Sequence, residues 1–249
     1  MDNTKKFSGK ADVYQQARPN YAQALLDFIA QKWQIGEGSL VADVGSGTGI
    51  FTRQLLRLGA KVYAVEPNAD MRAKAEELLD GHPNFVSVIG TAEQTTLPDH
   101  HFHLVTAAAA FHWFDAQRFN LECERILLPG APVVLAWNEV EMSAEINQGR
   151  ERIFKKYCQN FNGFSGGSDK ENEIKRAFFD GAIQEKHFAN PLSYDRQTFI
   201  NRALSGSYSL IETDPGFEAY LAELGELFDQ HAIDGKIVLP QDSVAYFKG

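Results

Sequence analysis

The fold of this chain is decided by Leu40–Gly49, which reads LVADVGSGTG. Its first half is a short apolar run, typical of a buried parallel strand, and its second half is a glycine turn. A helical pattern follows at once, with Phe51, Leu55 and Leu58 on one face. A strand, a glycine turn and a helix start in this order are typical of a nucleotide-type binding site in an open α/β sheet.

The spacing of the turn favours one class of ligand. Gly45 allows a tight turn, Gly47 removes the side chain that would keep a ligand from the backbone, and Gly49 lets helix and strand pack closely. A dinucleotide site prefers G-x-G-x-x-G, which would put a small residue where this chain has Ile50. Asp43, ahead of the turn, would repel a phosphate but would tolerate a ligand with an amino group.

A second predicted strand, Val62–Glu66, ends in an acid. Glu66 lies roughly 20 residues past the first glycine, where a carboxylate can accept both ribose hydroxyls. A ribose and an amino acid moiety without phosphates describe S-adenosylmethionine (SAM). These residues therefore predict a SAM site.

The stretch Leu40–Gly49 resembles the SAM-binding motif of class I SAM-dependent methyltransferases. Gly90–Glu93, Leu97–Asp99, Ala110–Asp115 and the opening Tyr14–Tyr21 are similar to motifs of its trans-aconitate methyltransferase-like (methyltransferase type 11) subgroup. The match covers nearly all of the chain and is specific for cofactor and fold. It implies a methyltransferase that uses SAM, releases S-adenosylhomocysteine (SAH) and acts on a small molecule, in this subgroup a carboxylate.

The fold class that we expect is α/β. Specifically, we expect a Rossmann-like, doubly wound, mostly parallel seven-stranded sheet with its last strand antiparallel. We expect a single domain over residues 1–249. Its parts are an N-terminal lid and helix (1–35), a SAM-binding core (36–138), a helical insertion after strand five that forms a substrate cover (139–181) and the C-terminal part of the sheet (182–249).

Periodicity and cap residues predict the individual elements. Helices are expected at about 21–33, 48–58, 69–80, 116–128, 143–160, 170–179, 195–204 and 214–230. Strands are expected at about 40–45, 61–66, 85–89, 103–109, 131–137, 183–188, 237–239 and 244–247.

The resemblance also implies cofactor contacts. The candidate residues are Tyr14, Arg18, Asp43, Gly45, Ser46, Gly47, Gly49, Glu66, Pro67, Met71, Thr91, Ala92, Glu93, Ala109 and Phe111.

Several of these candidates have a second interpretation. Tyr14 and Arg18 would face the methionine end of SAM, with Arg18 pairing its carboxylate; alternatively, Tyr14 packs on the sheet edge and Arg18 is solvated. Met71 would touch the adenine or belong to the core. Thr91 would bond the adenine amino group, with the amides of Ala92 and Glu93 serving adenine N1, or it would cap a helix that begins at Ala92.

The aromatic segment Ala110–Asp115 supplies the catalytic candidates His112 and Trp113. Its aromatic rings would wall a pocket and hold the sulfonium, or they would form a hydrophobic plug with His112 bonded to backbone. His112 would act as a general base on a hydroxyl or amine, and as a positioning donor on a carboxylate. Possible anchors for an acidic acceptor are Arg150, Arg152, Arg196 and Arg202, and the sequence does not choose among them.

Composition limits the partners. A net charge of −9 without a basic run argues against a nucleic-acid partner. The two cysteines, Cys123 and Cys158, have no metal or disulfide spacing, and His100–His103 has the wrong spacing for converging ligands, so we expect no metal. The polar N-terminus predicts no signal segment, no membrane span and a cytoplasmic protein, while the oligomeric state is not readable. A non-catalytic SAM-binding protein and an NAD-type oxidoreductase are the alternatives.

Overall fold

The computed structural model describes residues 18–164, 169–206 and 208–248, and only the backbone of residues 169–171. Its helices are α1 (Gln23–Trp33), α2 (Ile50–Leu56), α3 (Ala69–Leu79), α4 (Ala116–Ile126), α5 (Glu145–Tyr157), α6 (Asp169–Phe178), α7 (Arg196–Leu204) and α8 (Phe217–His231). Its strands are β1 (Leu40–Val44), β2 (Lys61–Val65), β3 (Phe85–Val88), β4 (Leu104–Ala108), β5 (Val133–Val140), β6 (Ile183–Ala189), β7 (Leu192–Tyr194), β8 (Ile237–Leu239) and β9 (Gln241–Lys248).

Seven strands form one sheet in the order β3-β2-β1-β4-β5-β9-β6. The pairs β1–β2, β1–β4, β2–β3 and β4–β5 are parallel. The order reverses at β1, so the carboxyl ends of β1 and β4 meet at the point where such sheets bind ligands.

The last strand, β9, runs antiparallel to its neighbour β5. The backbone N–H of Glu141 donates to the Pro240 oxygen, whereas Ser243 Oγ donates to Asn138 Oδ1. Residue numbers therefore fall along β9 as they rise along β5, which is an antiparallel arrangement. The predicted α/β class, the mostly parallel seven-stranded sheet and the antiparallel last strand are confirmed.

Alternate residues of the strands pack on opposite faces of the sheet. Ala42 and Val44 belong to a cluster that includes residues of α4, while Val41 belongs to another that includes residues of α1 and α2. Because both faces are covered by helices, the central strands β1 and β4 are apolar apart from Asp43 and Thr106. The predicted double winding follows from this arrangement.

The chain divides into two compact units. Unit 1 comprises Met1–Asn138, Asp169–Phe188 and Ser243–Gly249, and unit 2 comprises Glu139–Ser168 and Ala189–Asp242. Unit 2 has its own core around Phe154, Tyr220 and Leu224 and a short antiparallel ribbon of β7 and β8. None of the described helices is long and apolar enough to cross a membrane.

Candidate functional site

The glycine turn after β1 is built from left-handed backbone. Gly45, Gly47 and Gly49 have φ of 69°, 56° and 79°, a region that residues with a side chain rarely adopt. A Cβ on Gly45 would lie 2.7 Å from the Ala110 Cβ, whereas a Cβ on Gly47 would meet nothing within 4 Å. Gly45 is therefore required by packing, and Gly47 leaves open space beside the backbone.

Gly49 has a different neighbour from the one that the sequence suggested. A Cβ there would lie 3.0 Å from Leu79 Cδ1 and 3.3 Å from Ala75 Cβ, and both of these residues belong to α3. The close packing that Gly49 permits is thus between the start of α2 and α3, rather than between helix and strand. This corrects the expected role of the third glycine.

Glu66 is fixed at the end of β2 by backbone donors. The N–H of Gly47 donates to its Oε2 at 2.9 Å, and the N–H of Asn68 donates to its Oε1 at 2.8 Å. The side chain is buried, and this burial raises its pKa although the two N–H groups and Arg72 oppose the rise. Each carboxylate oxygen retains a further acceptor position. The pair of oxygens therefore suits a ligand with two adjacent hydroxyl groups.

Asp43 lies fully buried in β1, just ahead of the same turn. Its Oδ2 accepts from Thr52 Oγ1 at 2.6 Å and its Oδ1 accepts from Thr106 Oγ1 at 2.8 Å. Burial raises the pKa of Asp43 to about 6, and the two threonine hydroxyls limit the rise. The carboxyl group is thus mostly ionised at neutral pH. A direct contact between Asp43 and a ligand stays a prediction.

Ser46 carries an unused polar group within the turn. Its Oγ is buried and has no hydrogen-bond partner among the described residues. A buried hydroxyl without a partner is unfavourable unless a ligand or water completes its bonding. Ser46 therefore points to a polar ligand beside the glycine turn.

The segment after β3 forms a tight turn instead of a helix start. Thr91 and Gln94 exchange backbone hydrogen bonds of 3.1 and 3.2 Å, and Ala92 is buried between them. The alternative that Thr91 caps a helix beginning at Ala92 is therefore wrong. Glu93 Oε1 accepts from the N–H of Asp115 at 2.9 Å, which ties this turn to the start of α4.

The segment after β4 carries a strained residue. Ala109 has φ of 51°, which is unfavourable for an alanine and is found mainly where structure or function requires it. A single 3₁₀ turn, Phe111–Trp113, follows. It leaves His112 exposed with its ring centroid 4.6 Å from that of Trp113.

Phe111 belongs to the aromatic core beneath this turn. It is 3% exposed. Its ring centroid lies 4.9 Å from that of Phe178 and 6.1 Å from that of Phe119. The alternative interpretation, a hydrophobic plug, thus describes Phe111, whereas His112 is exposed. A contact between Phe111 and a cofactor stays a prediction.

Comparison with known proteins identifies this arrangement. A family model described as "Methyltransferase domain" matches residues 42–135. An uncharacterized methyltransferase of Mycobacterium bovis is 33% identical over 137 residues, which are 55% of this chain and 54% of that protein. The chain thus spans about half the length of the curated relatives it matches.

Two solved structures share the fold. A SAM-dependent methyltransferase from Aquifex aeolicus has a TM-score of 0.51 at 19% identity, over 71% of this chain and 89% of that one. Phosphoethanolamine N-methyltransferase 2 of Haemonchus contortus, solved with SAH, has a TM-score of 0.53 at 15% identity, over 99% of this chain and 58% of that one. Residues 42–135 of this chain thus match a methyltransferase domain, and the chain has the fold of class I methyltransferases.

The methyltransferase domain brings most of the candidate residues to one edge of the sheet. Gly45, Ser46 and Gly47 follow β1, Glu66 and Pro67 follow β2, Thr91–Glu93 follow β3, and Ala109 follows β4. Met71, in the first turn of α3, is buried. Arg18 is exposed at the start of the described chain, and Tyr14 lies outside the described residues.

The histidines before β4 have structural roles in the methyltransferase domain. His103 Nδ1 accepts from the N–H of Leu40 at 3.1 Å, and His100 Nδ1 lies 3.2 Å from the Leu127 oxygen. No group of metal-binding side chains is found in the part of the chain that the structure describes. Cys123 and Cys158 are free thiols, both buried.

Some groups near the site were not found from the sequence. Thr106 reaches Asp43 because β1 and β4 place the two residues opposite one another, a register that the sequence does not reveal. Trp137, in β5, is buried, and its Nε1 has no hydrogen-bond partner among the described residues. The register of β4 and β5, which sets Ala136 opposite Ala108, indicates that Trp137 is near the same edge.

Proposed function

We propose that this protein transfers a methyl group from SAM to an oxygen of a small-molecule acceptor. The observation that carries the proposal is the Glu66 carboxylate, which is held by the N–H groups of Gly47 and Asn68 beside the open space at Gly47. Two rigid acceptor oxygens next to a glycine without steric hindrance fit a ribose. The cofactor in the Haemonchus structure, SAH, carries such a ribose.

The residues of the turn fit the remaining parts of SAM. Ser46 offers a hydroxyl without a partner in the described chain, and Asp43 supplies a negative charge beneath the turn that suits a cationic ligand. Thr91 and the backbone of Ala92 would hold the adenine. Arg18 and Tyr14 would close over the methionine end.

The chemistry required of the protein is mostly positional. SAM supplies an electrophilic methyl group. The protein must align an acceptor oxygen with it and exclude water, and alignment supplies up to about 7–11 kcal/mol of barrier reduction. His112 would hold a carboxylate acceptor in place, or would take the proton from a hydroxyl acceptor.

Trp137 supports an oxygen acceptor. Its buried Nε1–H is a donor without a partner in the described chain, and its ring centroid lies 6.5 Å from that of Phe111, the neighbour of His112. Such a donor matches an oxygen better than a protonated amine. A net charge of −9 further favours a small molecule over a nucleic acid, and a cytoplasmic location stays a prediction from the sequence.

The alternatives lack comparable support. In an NAD-type oxidoreductase a pyrophosphate would bind at the turn, where Asp43 and Glu66 place two carboxyl groups. A non-catalytic SAM-binding protein would share the Glu66 arrangement. It differs from the proposed enzyme in transferring no methyl group.

Cofactor binding is tested by a matched pair of glycine variants. We expect SAH to bind the wild-type protein in calorimetry, and G47A to lose at least tenfold in affinity because its new methyl group fills the ligand space. Gly81 also has a positive φ (72°) and nothing within 4 Å of its Cβ position, but it lies in the turn after α3. G81A therefore carries the same backbone strain, about 1–2 kcal/mol, and should bind SAH like wild type. Equal SAH affinity in G47A and G81A would refute the proposed site.

The acceptor is tested by methyl release with panels of carboxylic acids, phenols and amines. W137F removes the Nε1–H together with the five-membered ring of the indole and keeps a buried aromatic side chain, so we expect a higher KM for an oxygen acceptor with SAH affinity unchanged. H112Q should lower kcat about 10²–10⁴-fold if the acceptor is a hydroxyl, and should mainly raise KM if it is a carboxylate. Turnover confined to amines, or SAH binding without any turnover, would contradict the proposal.

A further inference from the structure

Unit 2 contains a buried arginine on the core-facing side of α5. Ile146, Arg150 and Phe154 are spaced four residues apart, so they share one face of the helix. Ile146 and Phe154 belong to the core of unit 2, and Arg150 between them is 7% exposed. A charged residue thus occupies a position where the helix otherwise presents apolar side chains.

The protein only partly compensates this charge. Arg150 Nη1 donates to Asn147 Oδ1 at 2.9 Å. The guanidinium carbon lies 5.0 Å from the ring centroid of Phe164 and 5.7 Å from that of Phe154. Within the described chain, no carboxylate lies within 4 Å of Arg150, so the buried cation has no anionic partner.

Asn147 is itself held in place for this contact. Its Nδ2 donates to the Glu141 and Pro240 oxygens at 2.9 and 2.8 Å. These two bonds leave Oδ1 turned toward Arg150. The guanidinium is therefore oriented by a fixed side chain rather than left to rotate.

The ionisable groups that interact with Arg150 are three tyrosines and a second arginine. Burial lowers the pKa of Arg150 to about 10; Tyr208, Tyr194 and Tyr220 oppose the shift, while the positive charge of Arg202 adds to it. Arg150 therefore remains protonated at neutral pH. An isolated buried cation beside a second cation is unfavourable unless an anion neutralises it.

The other candidate anchors differ from Arg150. Arg152 is exposed, and the exposed Arg196 pairs with Asp229 at 3.4 Å. Arg202 is half-buried and its Nη1 lies 3.4 Å from Ser205 Oγ. Burial without a carboxylate partner thus selects Arg150 from the four arginines that the sequence left open.

We propose that Arg150 binds the anionic group of a small organic ligand, a carboxylate or a phosphate, within unit 2. The planar guanidinium donates two parallel N–H groups to either anion, and surrounding tyrosine hydroxyls are donors of the type that both anions accept. The aromatic side chains around the site exclude water and strengthen such a pair. This inference does not depend on the proposed methyl transfer.

The test is calorimetry on the full-length protein at matched ionic strength. Citrate serves as the carboxylate probe, glycerol 3-phosphate as the phosphate probe and glycerol as the neutral control. We expect one anion to bind. R150Q should weaken that binding at least tenfold, because the positive charge and the two parallel N–H donors are both lost. R152Q removes an exposed arginine from the same helix and should bind like wild type. The probe that binds shows whether the site takes a carboxylate or a phosphate.

Thermal unfolding provides a readout that a purely structural arginine would not give. R150M replaces the buried charge by an apolar side chain of similar length, so without anion its unfolding temperature should equal or exceed that of wild type. The bound probe should raise the unfolding temperature of wild type and R152Q but not of R150M. R150K keeps the positive charge without the two parallel N–H donors, so it should retain weaker binding. It replaces R150Q if that variant fails to fold.

Three outcomes would overturn the inference: neither anion binds wild type, R150Q binds as tightly as wild type, or R150M unfolds several degrees below wild type without anion. SAH affinity, measured on the same variants, should stay unchanged. If wild type did not bind SAH, this result would count against the proposed function only, because Arg150 lies in unit 2 and Glu66 in unit 1.

Discussion

Asp43 and Glu66 are acidic residues on the neighbouring strands β1 and β2, and their different surroundings give them different roles. Asp43 is completely buried and satisfied by the hydroxyls of Thr52 and Thr106. Glu66 accepts from two backbone N–H groups and keeps acceptor positions for a ligand. Asp43 thus acts as a charge beneath the turn, and Glu66 as a hydrogen-bonding group at its surface.

The raised pKa of Asp43 predicts a specific pH dependence of stability. Its folded pKa of about 6 exceeds the ordinary aspartate pKa of 3.8, so the folded protein binds more protons than the unfolded chain between these values. Stability therefore falls as the pH rises through this window. D43N should remove this pH-dependent change in the free energy of unfolding. The change is about 3 kcal/mol, at about 1.4 kcal/mol per pKa unit.

Urea unfolding of wild type and D43N at several pH values from about 4 to 7 measures the effect. Because all other titrating groups are common to both proteins, the difference in unfolding free energy isolates Asp43. We expect wild type to lose stability relative to D43N as the pH rises. A difference that is constant with pH would show that the pKa of Asp43 is not raised.

Side-chain caps begin three of the described helices, α3, α4 and α7. Asn68 Oδ1 accepts from the N–H groups of Asp70 and Met71 at the start of α3, and Asp115 accepts from the N–H of Arg118 at the start of α4. Asp195 does the same for the N–H of Thr198 at α7. Such caps depend on local geometry, and the sequence therefore determines them.

At the scale of elements, the Asp115 cap also links two parts of the site. Asp115 begins α4 and its N–H donates to Glu93, which anchors the turn after β3. D115A should lower the unfolding free energy by about 0.5–2 kcal/mol because the first N–H groups of α4 lose their acceptor. D115S keeps a capping oxygen and should lose clearly less.

Chemical denaturation of the two variants measures this prediction. Equal stability losses in D115A and D115S would indicate that the carboxylate acts through its charge rather than through capping. Stability unchanged in D115A would show that α4 needs no side-chain cap.

Element boundaries were predicted closely where periodicity was strong. α3 was predicted at about 69–80 and spans Ala69–Leu79. β6 was predicted at about 183–188 and spans Ile183–Ala189. β7, only three residues long, was not predicted, and it pairs with β8 in a separate two-stranded sheet. A three-residue strand carries too little periodicity to be recognised without its partner.

At the scale of the whole molecule, the chain is partitioned into two compact units. The segment expected to form one insertion, 139–181, is divided between the two units at residue 168. Phe178 of α6 stacks on Phe119 of α4 with centroids 5.5 Å apart, in the core of unit 1. The single-domain organisation with its lid and cover stays a prediction.

The charge of the whole chain predicts weak binding to nucleic acids. It has 24 lysine and arginine residues against 33 aspartate and glutamate residues, so few phosphates can be neutralised. We expect no saturable binding of a labelled RNA duplex below about 100 μM at physiological salt, measured by fluorescence anisotropy. Tight binding that weakens steeply with salt would contradict a small-molecule acceptor.

The sequence by itself determined the α/β class, the SAM-type turn, the helix caps and the position of Glu66, because these depend on residues close together in the chain. Tertiary structure decided which polar groups lack partners. Thr106 satisfies Asp43 through strand register, whereas Ser46, Trp137 and Arg150 hold hydrogen-bonding or charged groups that the described chain leaves incomplete. Burial and partners depend on segments far apart in sequence, and no local pattern records them.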